Sequence, residues 1–137
     1  MLKEFKNFNI IQKIIFALLI LYFIFFAING IATIIYKFQI DYSEGTVLYQ
    51  SKLLSQGKNI YKDINEHPFI LSPYTPVFQL INSPFIKFFG VSLAYGRIIS
   101  FISALLIAIL IYKLLLNYTN NKIISITTAL FFIASPY

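Results

Sequence analysis

The sequence lacks cysteine altogether and contains a single histidine. The absence of cysteine excludes disulfides, thiolate metal sites and cysteine nucleophiles, and one histidine cannot build an all-histidine zinc site within one chain. The sequence also contains no GxSxG, P-loop, HExxH or dinucleotide-binding motif. The chain therefore lacks the motifs that soluble-type hydrolases, nucleoside triphosphatases, zinc proteases and dehydrogenases require.

Charged residues are scarce and apolar residues are abundant. The chain is 58 % hydrophobic, 18 % aromatic and 12 % charged, with a mean hydropathy of +0.76, whereas soluble domains are about half apolar and about a quarter charged. This composition predicts an all-α integral membrane protein, a polytopic helical bundle. The eleven Lys and Arg residues are scattered singly, without the basic stripe that phosphate tracking needs, so no nucleic-acid partner is expected.

Three apolar runs predict membrane spans. No charge occurs between Lys13 and Lys37, and a first span over residues 14–36 would extend about 35 Å, enough for a hydrocarbon core of roughly 30 Å. A cleaved signal peptide is the alternative, but its apolar region would be only about 7–15 residues long. A second span is predicted over residues 91–116, with Arg97 near one end and Lys113 near the other.

The third run covers residues 123–137 and reaches only about 22 Å as a helix, short of a roughly 30 Å core. We therefore expect a single membrane domain over residues 1–137 that is the truncated N-terminal part of a longer protein. Bilayer thinning, tilting or docking onto another subunit are the alternatives for so short a terminal helix.

Basic residues at the flanks predict the orientation. The positive-inside rule places the N-terminus and the link between the second and third spans in the cytoplasm. The residues that carry this assignment are Lys3, Lys6, Lys13, Lys113 and Lys122. The loop of residues 37–90 is then external.

The external loop begins with a helix signal. Asp41-x-x-Glu44 has the form of a capping box, and Gly57 stands where a helix end favours a left-handed residue. We expect a juxtamembrane helix over about residues 42–56, lying along the head-group boundary.

A second juxtamembrane helix is predicted over about residues 76–89. Thr75 offers an N-cap, Pro76 suits the first helical position, and Gly90 offers a stop. Pro84 lacks a backbone donor and crowds the preceding turn, so we expect a kink or split near Ser83.

Asp41 has two interpretations. It starts a helix as an N-cap, or it does chemistry where water meets lipid. A carboxylate there can act as a general base toward a hydroxyl, or can hold a divalent cation that neutralises a phosphate leaving group.

The order of short motifs around Asp41 resembles a known family. The pattern D-x-x-E-G, L, L-x-x-G, Y-x-D, P, Y-x-P, F-x-x-F-F-G and G-R is similar to the N-terminal part of polytopic GT-C glycosyltransferases, in the protein-mannosyltransferase-like and lipid A aminoarabinose transferase-like branch. The residues that carry it are Asp41, Glu44, Gly45, Leu48, Leu54, Gly57, Tyr61, Asp63, Pro68, Tyr74, Pro76, Phe85, Phe88, Phe89, Gly90, Gly96 and Arg97.

This resemblance implies sugar transfer, with inversion, from a polyprenyl-phosphate donor to an acceptor hydroxyl of a glycan, lipid or protein on the outer face. It implies Asp41 as the catalytic base and Glu44 as a supporting acid. Arg97, Tyr74 and Asp63 are the expected substrate-binding residues, although Arg97 is equally explained as a charge that snorkels to the head groups. The implied location is a prokaryotic plasma membrane.

The chain departs from the family at Tyr74-Thr75-Pro76, where relatives often carry Tyr-Pro-Pro or Lys-Pro-Pro. A further acidic motif of the family would lie beyond residue 137. Glu66 and His67 are the candidate ligands for a divalent metal ion, with a solvated turn as the alternative.

Two functions from different classes remain open at this stage. One is a membrane glycosyltransferase. The other is a small non-catalytic membrane subunit that binds a lipid carrier or scaffolds a polysaccharide or glycolipid pathway.

Overall fold

The computed structural model describes residues 9–63, 65, 67, 69, 72 and 75–135. Those residues form five α-helices and no strand, which confirms the all-α class. The helices are α1 (Ile10–Ile35), α2 (Tyr42–Ser55), α3 (Val77–Phe89), α4 (Ala94–Thr119) and α5 (Lys122–Ala134). The chain divides into two compact units, one made of Met1–Ala32 with Ser100–Tyr137 and the other of Thr33–Ile99.

Helices α1 and α4 are long and apolar enough to cross a membrane, at 26 residues each. A core helix of a soluble protein would be mostly buried, but Leu19 is the buried residue of α1 and Arg97 that of α4. Their exposed apolar surfaces are consistent with association with a membrane.

Helix α1 begins four residues before the predicted start at Ile14, because Asn9 and Gln12 form a capping box. The backbone N–H of Gln12 donates to Asn9 Oδ1 over 2.8 Å, and the backbone N–H of Asn9 donates to Gln12 Oε1 over 3.0 Å. This reciprocal pair satisfies two amides that the first helical turn leaves free. The prediction used only the length of the uncharged run after Lys13, which does not include this capping pair.

In the first unit, an aromatic ring of α4 lies directly on a glycine of α1. Phe101 stacks on Phe26 with ring centroids 5.4 Å apart, and a Cβ added to Gly30 would lie 2.4 Å from Phe101 Cε2. No side chain fits there unless the ring moves. Gly30 therefore permits this close approach of the two helices.

We predict that Gly30→Leu destabilises the protein by about 1–3 kcal/mol through overpacking. Thermal unfolding in detergent micelles measures the change. Because the clash is with one ring, Phe101→Leu in the Gly30→Leu background should restore part of the loss. A double variant that is less stable by the sum of the two single effects would contradict the contact.

The link between α4 and α5 consists of two asparagines. Asn120 adopts a left-handed φ of 52°, a conformation that asparagine tolerates better than most residues. Asn121 caps α5, and its Oδ1 accepts from the amides of Ile123 and Ile124 over 3.0 and 3.1 Å. Helix α5 ends at Ala134.

In the second unit, the predicted signals at the two ends of α2 are confirmed. Asp41 is the N-cap and accepts a hydrogen bond from the Ser43 amide. The helix ends at Ser55, and Gly57 follows with a left-handed φ of 71°.

Helix α3 differs from its prediction in two ways. Pro76, instead of the predicted Thr75, occupies the N-cap position, and the first helical residue is Val77. The helix also continues through Pro84, so the predicted split near Ser83 is wrong. Pro84 has no amide hydrogen for the Leu80 carbonyl, and the Ser83 hydroxyl donates to that carbonyl instead, over 3.0 Å. The local hydroxyl thus satisfies the acceptor that proline leaves free.

Polar side chains join α2 to α3. The side-chain Nε2 of Gln79 donates to Gln50 Oε1 over 2.9 Å, and the side-chain Nε2 of Gln50 donates to Ser72 Oγ over 2.8 Å. Beside them, Asn82 Nδ2 approaches Ser51 Oγ at 3.4 Å. We call these five residues the polar seam. Its four helical members are buried, so α2 and α3 meet through amides and hydroxyls.

Candidate functional site

Asp41 lies in the connection that leaves α1 and enters α2. Its Oδ1 accepts from the Ser43 amide over 2.7 Å and also from the Ser43 hydroxyl. No described residue donates to its second oxygen, Oδ2, and the side chain is exposed. One carboxylate oxygen is therefore fixed by hydrogen bonds, and the residue as a whole is accessible to solvent.

Glu44 completes the helix start in a variant of the predicted capping box. Its Oε2 accepts from the Ile40 amide over 2.8 Å, one residue earlier than the N-cap amide of the standard motif. The same carboxylate also accepts two hydrogen bonds from Arg97. Arg97 Nε donates to Oε1 over 2.9 Å, and Nη2 donates to Oε2 over 2.7 Å. The pair is bidentate, the stronger geometry for a guanidinium and a carboxylate.

Arg97 also contacts the backbone where α1 ends. Its Nη1 donates to the carbonyls of Thr33 and Tyr36 over 2.7 and 2.6 Å, and its Nη2 donates to that of Phe38 over 2.8 Å. Together with the two bonds to Glu44, these contacts use all five N–H donors of the guanidinium. Arg97 is 8 % exposed, so this charge is buried with every donor satisfied. We call Arg97, Glu44 and the three carbonyls the arginine clamp.

The clamp stabilises backbone carbonyls that a helix end leaves free. Thr33 lies in the last turn of α1, and Tyr36 and Phe38 follow its end at Ile35. A cation at that place also offsets the negative end of the helix dipole. Because Glu44 lies in the first turn of α2, the clamp fixes the whole connection that carries Asp41.

Hydrogen bonds hold both carboxylates in the charged form. The side-chain bonds from Arg97 lower the pKa of Glu44, and the Ile40 amide adds to this effect while burial opposes it. The Ser43 hydroxyl, followed by the Ser43 amide, lowers the pKa of Asp41. Both groups are therefore ionised at neutral pH.

The other predicted substrate-binding residues are not brought to this connection by a described contact. Asp63 Oδ1 accepts from the amide and the side chain of Asn65, over 2.9 and 3.0 Å, which closes a local turn. Tyr74 lies outside the described residues. Arg97 lies in the clamp, and a phosphate would have to displace one of its present partners to reach it.

The predicted metal ligands give an incomplete set. His67 is exposed and its ring lies edge-on to Phe69, whereas Glu66 lies outside the described residues. Within the part of the chain that the structure describes, no three acidic or histidine side chains are grouped so that they could hold a metal ion.

Sequence reasoning missed the clamp and the polar seam. A signal for the clamp was present, because an arginine inside an apolar segment needs partners for its charge. A signal for the seam was also present, since Gln79 and Asn82 share one face of α3.

Comparisons with protein-family models, curated proteins and solved structures find no match for this chain. The resemblance to GT-C glycosyltransferases therefore stays a prediction.

We predict that Glu44→Gln lowers the free energy of unfolding at pH 7 by about 1.5–3 kcal/mol, because a charged hydrogen-bond partner of Arg97 is lost. The folded pKa of Glu44 lies below its unfolded value of about 4.3. Its contribution is therefore complete above that value and is lost as the pH falls through the lower, folded pKa. Chemical unfolding of the chain in micelles, followed from neutral to acidic pH, measures both effects.

Arg97→Lys provides the comparison, because it keeps the charge but removes the planar fork. It should also destabilise the chain while keeping part of the dependence on pH. An equal loss of stability on acidification in the wild type and in Glu44→Gln would contradict the clamp.

Proposed function

We propose that the chain is the N-terminal membrane part of a polytopic glycosyltransferase that moves a sugar from a polyprenyl-phosphate donor to an acceptor hydroxyl, with Asp41 as the general base. The observation that carries this proposal is the state of Asp41. Its carboxylate is ionised and exposed, it is fixed through one oxygen, and it lies directly after a helix long enough to cross a membrane. The sequence resemblance described above supplies the reaction class.

In the proposed reaction, Asp41 Oδ2 accepts the proton of the acceptor hydroxyl while the hydroxyl oxygen attacks the anomeric carbon of the donor sugar. The bond from that carbon to the phosphate oxygen breaks, and the lipid phosphate leaves with the electron pair. Attack from the face opposite the phosphate inverts the configuration.

The arginine clamp supports this role through position. A general base must lie within hydrogen-bond reach of the proton that it removes, and misplacement by about 1 Å costs about 100-fold in rate. The clamp links the end of α1, the start of α2 and the start of α4 around Asp41. In this proposal Glu44 is a positioning residue, since both of its oxygens are occupied by Arg97 and Ile40.

The non-catalytic lipid-carrier subunit is the second candidate, and one observation favours it. The hydrogen bonds that Asp41 accepts from Ser43 are those of an ordinary helix N-cap, so its geometry is explained without catalysis. In this second candidate, Asp41 has only its role as the N-cap of α2.

Asp41→Asn separates the two candidates. In the complete protein we expect a loss of transfer of about 100-fold to 10,000-fold, the usual contribution of a general base. Asparagine also serves as an N-cap, so membrane insertion and stability should be unchanged. Transfer of a radiolabelled sugar from a polyprenyl-phosphate donor in reconstituted vesicles measures the rate, with Lys58→Gln in the exposed turn after α2 as the matched surface control.

Retained turnover in Asp41→Asn would remove Asp41 as the base. Such a result, combined with normal binding of the lipid carrier, would favour the non-catalytic subunit.

Ser43→Ala tests the electrostatics of the base. This change removes the hydroxyl that contributes most to the lowered pKa of Asp41, while the backbone amide bond of residue 43 remains. We expect the acidic limb of the pH–rate profile to move to higher pH, toward the ordinary aspartate value. A limb that stays in place in Ser43→Ala would show that Asp41 does not titrate in the rate-limiting step.

A further inference from the structure

Most of the apolar side chains of α3 are exposed, with Ile86 as the buried one, whereas its amide residues Gln79 and Asn82 are buried. Phe88 is 77 % exposed, whereas Asn82 is 2 % exposed. The exposed apolar residues of this helix are Val77, Leu80, Ile81, Phe85, Phe88 and Phe89. A helix on the surface of a soluble protein shows the opposite pattern, with its apolar stripe facing the core. In water, this outward face would be an unfavourable apolar patch.

Helix α2 has no such face. Its larger aliphatic residues, Val47, Leu48, Leu53 and Leu54, are all half-buried. Tyr42 is its exposed large hydrophobic residue, and Lys52 faces solvent. The two helices of the pair therefore differ in what their outer surfaces can contact.

The C-terminal half of α3 is attached to the start of α4. The rings of Phe85 and Phe89 lie 5.9 and 6.5 Å from the ring of Tyr95, and the Tyr95 hydroxyl donates to the Phe89 carbonyl over 3.2 Å. Tyr95 belongs to the first turn of a helix that is long and apolar enough to span a membrane. The apolar face of α3 is thus continuous with the point at which α4 would enter the bilayer.

The charge of α3 fits a lipid surface. Its single charged residue, Lys87, lies in the last turn and is exposed. A lysine at such a place can extend its ammonium group to the head groups while its aliphatic stem stays among apolar atoms.

We propose that the outward face of α3 is buried in the acyl-chain boundary of the bilayer, and that α2 is held at the membrane through the polar seam without contacting hydrocarbon itself. Of the two helices predicted to be juxtamembrane, only α3 then has lipid as a direct partner. This inference concerns the surface of the fold and is independent of any transfer reaction.

The absence of tryptophan from the sequence allows a direct test, because a single introduced tryptophan is the only indole that fluoresces. Phe88→Trp places it on the outward face of α3, and Lys52→Trp places it on the solvent side of α2 as the matched control. Each variant is reconstituted in phosphatidylcholine vesicles, with or without bromine atoms on the acyl chains.

We expect the emission of Phe88→Trp to be blue-shifted and strongly quenched by the brominated chains. The emission of Lys52→Trp should resemble that of tryptophan in water and should keep its intensity in the same vesicles. Phe89→Trp is the second reporter of the outward face and keeps the test valid should Phe88→Trp fail to insert.

Three outcomes would overturn the proposal. Water-like, unquenched emission from both reporters on α3 would show that the face is not in lipid. Blue-shifted emission that brominated chains do not quench, and that reverts on dilution of the protein in lipid, would show that a second copy covers the face. Quenching of Lys52→Trp as strong as that of Phe88→Trp would show that α2 also lies in hydrocarbon.

Discussion

The arrangement of the second unit depends on a buried guanidinium that must have five acceptors. Moving an ion from water into a protein costs several kcal/mol even after relaxation, and good geometry together with complete hydrogen bonding is needed to offset that cost. Arg97 meets both conditions with one carboxylate and three carbonyls. A lysine could not replace it, because an ammonium group has three donors and no planar fork. The acceptors lie between Thr33 and Glu44 and the donor lies in α4, so a single side chain joins the end of α1 and the start of α2 to the start of α4.

The second constraint is that backbone and side-chain polar groups must be satisfied wherever water is scarce. The described part of the chain meets it in three ways: Asn9 and Gln12 cap α1, the Ser83 hydroxyl serves the carbonyl that Pro84 leaves free, and the polar seam pairs amides between α2 and α3. Within the described residues, one buried side-chain atom, Asn82 Oδ1, has no partner. The buried polar side chains of α3 face α2, which leaves the outer surface of α3 to apolar residues and Lys87.

How much could be predicted from the sequence depended on the distance over which each signal acts. Asp41, Gly57 and Gly90 act on their own neighbours, so the start of α2, the left-handed residue after it and the stop of α3 could all be read directly.

The clamp joins residues 53 positions apart, and nothing local tells which acid of the loop meets Arg97. The burial of Gln79 and Asn82 was equally hidden, because their shared face is visible in the sequence but the helix that covers it is not. At Pro84 the expected split does not occur, and the Ser83 hydroxyl serves the carbonyl that proline leaves free. The substrate-binding candidate Tyr74 and the metal-ligand candidate Glu66 lie outside the described part of the chain.

The chemistry of the polar seam has a consequence for the setting in which such a loop would work. Its members are glutamine, asparagine and serine, which carry no charge at any pH that a cell meets. Their bonds are therefore neither screened by salt nor broken by acid, in contrast to an ion pair. If the loop faces the outside, the medium around it can become acidic, saline or dilute without control by the cell. A pair of helices joined by neutral amides keeps its register through such changes in pH and salt concentration.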